Sequence, residues 1–247
     1  VVLPLYDDNP TKSRPYVTWA LVALNVVMFL MELTGGLRTG PRGLYGPLAG
    51  WTLVPIELTQ GAEAPTNGLG GLPALVTLVT SMFLHGGVMH LLGNMLFLVI
   101  FGNNIEEAMG RFKYLLFYLI TGVAAALTQV ASQPASAVPV LGASGAIAGV
   151  LGAYLVLYPG ARVNTLVFLI VFVTRIAIPA WLLLGVWIVS QFFGQVTGAL
   201  AGGGDRGGVA YLAHIGGFIA GMLLIKFFGA KSGMERPRYR VSYPDEG

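Results

Sequence analysis

Ser144, in VLGASGAIAG, is a hydroxyl set between glycines at the edge of an apolar run. A serine so placed suits helix capping or packing, and it also suits nucleophilic attack when a base lies in reach. The chain has three histidines to offer as bases. His85 and His90 flank the start of a second apolar run in HGGVMHLLGNM, followed by Asn94, and His214 lies within a third in AHIGGFIAG. A neutral imidazole can take a proton from a serine near neutral pH, so the chemistry reads as acyl transfer. His90, Asn94 and the backbone N–H groups around Ser144 are the donors available to a tetrahedral oxyanion. No cysteine is present, which excludes a thiolate nucleophile and a disulfide framework. The HGGVMH histidines are separated by a Gly-Gly break and have no nearby carboxylate, so no metal or cofactor is expected.

Those residues need elements to position them. The 247-residue chain is 55% hydrophobic and 10% charged, the composition of a polytopic membrane protein. No basic stripe interleaved with aromatics points to nucleic acid. The apolar runs predict an all-α bundle of six transmembrane helices at 16–33, 88–105, 113–131, 144–158, 179–199 and 209–228. The first reads as a retained helix rather than a cleaved signal. The run 166–173, bounded by Arg162 and Arg175, makes only about 12 Å of helix against a hydrocarbon core of about 30 Å. It is expected to be interfacial or re-entrant.

Six spans put both termini on one side. Of 14 basic residues, 11 fall on that side, and Arg38, Arg42 and Arg206 fall on the other, so the termini are predicted to be cytoplasmic. The organisation is then a cytoplasmic segment 1–15, a membrane domain 16–228 with an outer loop 34–76, and a polar tail 229–247. Part of the outer loop is apolar enough to lie in the interface. The basic tail reads as a topology signal with a capacity for anionic lipid.

With this topology, spans two, four and six all enter from outside beside His90, Ser144 and His214, at a shared depth. Ionisable side chains at such depth are functional candidates by default. His90 and Asn94 share a helix face. Gly145, Ala148, Gly149 and Gly152 form a small-residue strip beside Ser144, and Gly217 and Gly221 continue the side that bears His214. Close packing of such strips brings His214 toward Ser144. No acidic third member stands out. Asp205, in an outer loop, is the one left open, and Glu106 and Glu107 read as a solvated helix end or as partners of Arg111. A Ser–His dyad is the simpler reading.

HGGVMHLLGNM, FGNNIEEAMG, GASG and AHIGGFIAG, in this order over six spans, resemble the rhomboid family of intramembrane serine proteases. The resemblance covers about 17–228. It implies Ser144 as nucleophile, His214 as general base, His90 and Asn94 as oxyanion-stabilising residues and His85 as an accessory histidine of the polar cavity. It also implies a structural glutamate at the end of span two. The implied activity is cleavage of transmembrane segments of other proteins near the outer face, without metal or cofactor, and with preference for small residues at the cut. The compact form points to a bacterial plasma membrane. Two features depart from the pattern. The Trp-Arg pair that many members carry in the first outer loop is absent, with Trp51 and Arg42 standing apart, and the aromatic that some members carry one turn after the serine is here Ala148. The alternatives are a non-catalytic relative that binds transmembrane helices, and a transporter.

Overall fold

The structure, a computed structural model, describes residues 2–40, 43–61, 72–168, 173–200 and 209–231. Its elements are β1 (Val2–Asp7), α1 (Tyr16–Met31, prolonged by a π-helical turn Glu32–Gly36), β2 (Arg38–Gly40), β3 (Gly43–Tyr45), α2 (Pro55–Gln60), α3 (Ala74–Thr80), α4 (Val88–Met109), α5 (Arg111–Ser132), α6 (Ser144–Leu157), β4 (Arg162–Phe168), β5 (Val173–Pro179), α7 (Ala180–Leu200) and α8 (Tyr211–Leu224).

Six of these helices coincide with the six predicted spans. Among the described residues, four segments, Tyr16–Gly36, Val88–Met109, Arg111–Ser132 and Ala180–Thr197, are long and apolar enough to cross a membrane, whereas α6 and α8 are shorter apolar helices. Four crossings therefore follow from length and composition. Because the helices alternate in direction, the starts of α4, α6 and α8 gather at one end of the bundle. The start of α1, the end of α4 and the start of α5 share the other.

The mostly helical fold also carries a three-stranded antiparallel sheet, ordered β1-β4-β5, which the all-α expectation did not include, at the end that bears the N-terminus. The run 166–173, expected to be interfacial or re-entrant, supplies the end of β4 and the first residue of β5, and residues 169–172 lie outside the described residues. The physical reason is β-branched composition together with a partner far away in sequence. Val2 pairs with Val167 and Asp7 with Val163, so β4 satisfies its backbone on both sides without a helix.

Carboxylates fasten this end, Glu106 and Glu107 at the end of α4 among them. Glu106 is buried, and its oxygens accept from Val17 N at 3.0 Å, Thr18 N at 2.8 Å and Thr18 Oγ1 at 2.8 Å. It thus satisfies first-turn donors of α1 that the helix itself leaves unpaired. This corrects the reading of Glu106 as a solvated helix end. Glu107 accepts from Lys12 N and Ser13 N, each at 2.7 Å, while the Arg111 guanidinium lies 4.5 Å over the Tyr16 ring.

Asp7 ties β1 to the bundle. Its carboxylate accepts from Asn104 Nδ2 at 2.8 Å and from the Tyr154 hydroxyl of α6. Burial outweighs these hydrogen bonds and pushes its pKa up to about 6. The folded state therefore holds this proton after the unfolded chain has lost it, and stability falls as pH rises from about 4 through about 6. Melting in detergent across that range should show wild type losing stability relative to Asp7→Asn. A difference in melting temperature that does not change with pH would refute the assignment.

Candidate active site

Ser144 is the first residue of α6, and the chain leading to it is held from two sides. Val140 exchanges backbone hydrogen bonds with Leu53, just before α2, at 2.7 and 3.1 Å, and Gly142 N donates to Ser81 O at 2.9 Å. Gly142 has φ 129°, where a side chain is strained, and a Cβ there would lie 2.8 Å from the His90 ring and 3.7 Å from Ser144 Oγ. The glycine lets His90 approach the serine.

α6 and α8 meet backbone to backbone. A Cβ on Gly217 would lie 2.1 Å from Gly145 O, one on Gly221 1.9 Å from Gly149 O, and one on Gly152 2.1 Å from Phe218 O. The small-residue strips of both helices are thus in contact, which apolar surroundings permit only where side chains are missing. This packing sets His214 Nε2 2.7 Å from Ser144 Oγ, across 70 positions of sequence.

The remaining polar residues gather at the start of α4. His85 is buried and lies in the extended stretch before the helix, its backbone N–H donating to Glu32 Oε1 at 3.0 Å and Oε2 at 3.2 Å. Its Nε2 is 2.9 Å from Asn94 Nδ2, and its ring centroid is 5.2 Å from that of His90. Asn94 thus bonds to His85 rather than to Ser144, and the His90 ring packs against Gly142, two residues before the serine. Two cavities lie here. One of about 30 Å³ adjoins Ser144, with Ser81, Gly122 and Ala125 in its wall. The other, of about 290 Å³, adjoins Glu32 and His85. Leu141 borders both.

Two residues beside His214 were not anticipated. Gln191 Oε1 of α7 lies 2.8 Å from His214 Nδ1, and the Trp187 ring lies 5.8 Å from the His214 ring, centroid to centroid. They are four positions apart on one helix face and stand where Ala148 supplies no aromatic. A glutamine inside an apolar span was the signal available, because such polar groups are costly in lipid. Asp205, left open as a third member, lies outside the described residues, as do Arg42 and Arg206. Among the described residues, no three His, Asp or Glu side chains gather as a metal would need.

The described part of the connection between α1 and α3 is fastened without a Trp-Arg pair. Besides the Leu53–Val140 bridge, Ile56 N donates to Ser136 O at 3.0 Å and Thr59 Oγ1 to Pro134 O at 2.7 Å, all on the connection between α5 and α6.

The Rhomboid domain family model matches residues 73–231, more than half of the chain and every helix that bears the site. The chain belongs to the rhomboid family. The rhomboid-like protein 11 of Arabidopsis thaliana chloroplasts is 32% identical over 156 residues, covering 62% of this chain and 52% of that protein. The rhomboid protease GluP of Bacillus subtilis is 32% identical over 213 residues, 86% of this chain and 35% of its own length. The mitochondrial rhomboid protein 1 of Saccharomyces cerevisiae is 31% identical over 153 residues, 60% of this chain and 40% of its own. The chain therefore spans between about a third and half of the length of these rhomboid relatives. Family membership and four long apolar helices make this rhomboid an integral membrane protein.

Proposed function

We propose that the chain is an intramembrane serine endopeptidase that cleaves transmembrane segments of other membrane proteins. The observation that carries this reading is Ser144 Oγ at 2.7 Å from His214 Nε2, in a bundle of the rhomboid family. In the proposed reaction, His214 Nε2 takes the Ser144 proton as Oγ attacks the scissile carbonyl. His90, Asn94 and first-turn N–H groups of α6 stabilise the oxyanion, aided by the helix dipole. His214 then protonates the leaving amine, and water attacks the acyl-enzyme with His214 again as base.

The cavity beside Ser144 is large enough for a water molecule, which needs about 10–15 Å³. Its Gly122 and Ala125 wall suits a small side chain at the cut. A substrate helix has to unwind locally to present a peptide bond, which favours helix-breaking residues near the cut. The proposed topology has α6 and α8 as the fifth and sixth crossings counted beside the four long spans, cytoplasmic termini, the site toward the outer face and residence in a bacterial plasma membrane. Lipids surround the bundle, and no cofactor takes part.

A serine-reactive fluorophosphonate should label the purified native chain at Ser144, located by peptide mapping, and should not label heat-unfolded chain. Equal labelling of both forms, or label at another residue, would sink the dyad. Asn94→Ala should lower kcat by about 10- to 100-fold in chain that stays folded, with a lower melting temperature because buried His85 loses its partner. An unchanged rate would remove Asn94 from oxyanion stabilisation.

A further inference from the structure

We infer that Gln191 is the positioning residue of this site: its amide oxygen accepts the Nδ1 proton of His214 and so holds the imidazole in the one neutral tautomer that leaves Nε2 free to take the proton of Ser144. The inference rests on the Ser144–His214 reading above and adds a third member on α7.

The hydrogen-bond network fixes which way the amide faces. Gln191 Nε2 donates to the Trp187 carbonyl at 3.2 Å and to Ser190 Oγ at 2.9 Å. Ser190 Oγ spends its own proton on Trp187 O, at 2.6 Å, and therefore accepts from the amide. Turning the amide round would set its oxygen against the Trp187 carbonyl and leave a buried N–H facing His214. The oxygen therefore faces His214 Nδ1 at 2.8 Å. An amide oxygen only accepts, so the proton sits on Nδ1 and the lone pair on Nε2, which faces Ser144 Oγ at 2.7 Å.

Gln191 and His214 are both at least nine-tenths buried, so water does not compete for this bond. The Trp187 ring, tilted 35° to the imidazole and also 6.0 Å from Phe218, limits rotation of His214 out of the line Gln191–His214–Ser144. A neutral acceptor fits the surroundings. An ionised carboxylate at this depth would carry a desolvation cost that an amide does not, while the amide dipole still favours the imidazolium formed when Nε2 takes the serine proton.

The test uses full-length chain labelled with ¹⁵N-histidine in detergent, with His214 assigned by its loss in His214→Ala, at a pH where the ring is neutral. Wild type should show the proton on Nδ1 alone. Gln191→Leu should show mixed or reversed tautomers, with kcat for a model transmembrane substrate lowered about 10- to 100-fold and KM within twofold. Wild-type His214 protonated on Nε2 overturns the inference without reference to any variant. An unchanged tautomer in Gln191→Leu overturns it even if kcat falls, because the loss is then structural, and an unchanged kcat overturns it even if the tautomer moves. Absence of cleavage by wild type would count against the Ser144–His214 reading instead, while the spectra still decide whether Gln191 holds His214.

Discussion

Ser144→Ala and His214→Ala each lower cleavage of a model transmembrane substrate by purified chain on the order of a thousandfold or more, with the fold retained. The expectation follows from the single hydrogen bond that joins them, 2.7 Å between Oγ and Nε2. Without the serine there is no group to form the acyl-enzyme, and without the imidazole the hydroxyl keeps its proton, so either loss removes the whole covalent route. A thousandfold corresponds to about 4 kcal/mol of transition-state stabilisation. Groups that act as one unit lose their effect together, so the double variant should be no slower than the worse single variant. Equal cleavage by wild type and both variants would point to a contaminating protease and remove these residues from the chemistry. A chain that stays folded and cleaves nothing in any form would favour a binder of transmembrane helices.

Gly221→Ala, a change of one methyl group, should nearly abolish the same activity although residue 221 lies two turns from His214. Its new Cβ would fall 1.9 Å from the Gly149 carbonyl oxygen, which is α6 backbone and has no side-chain torsion to relieve the clash. The helices have to separate by more than an ångström, and the Ser144–His214 bond lies along the same seam. Overpacking of this kind costs about 1–3 kcal/mol, so the melting temperature should fall together with kcat. Gly185→Ala on α7 is the control, since nothing lies within 4 Å of its would-be Cβ, and it should change neither quantity. Wild-type activity in Gly221→Ala would mean that the seam tolerates separation and that close α6–α8 contact is not what sets the dyad.

Much of this site is legible in the chain because its signals are local. The glycine strips beside Ser144 and after His214 are readable as close-packing surfaces, and His90 and Asn94 fall one turn apart wherever a helix starts near Val88. Glu106 shows where local reading stops. Its position near a helix end suggests solvent, yet its partners are the first-turn donors of α1, almost ninety positions earlier. β4 shows the same limit. Eight apolar residues are too few for a spanning helix, and nothing within them announces that Val2–Asp7 will pair alongside.

By itself, the sequence determined that this is a membrane bundle and where its apolar helices run, and it singled out Ser144, the three histidines and Asn94 as candidates for chemistry, because composition, hydropathy and turn spacing are properties of neighbouring residues. Only the tertiary structure decided that Asn94 bonds His85 and not Ser144, that Gln191 stands behind His214, and that the N-terminal strand closes the far end of the bundle. Those pairings depend on which helix faces meet and how closely. That closeness is set by backbone approach at Gly145, Gly149, Gly217 and Gly221, where removing side chains lets two helices touch and carries His214 to the serine.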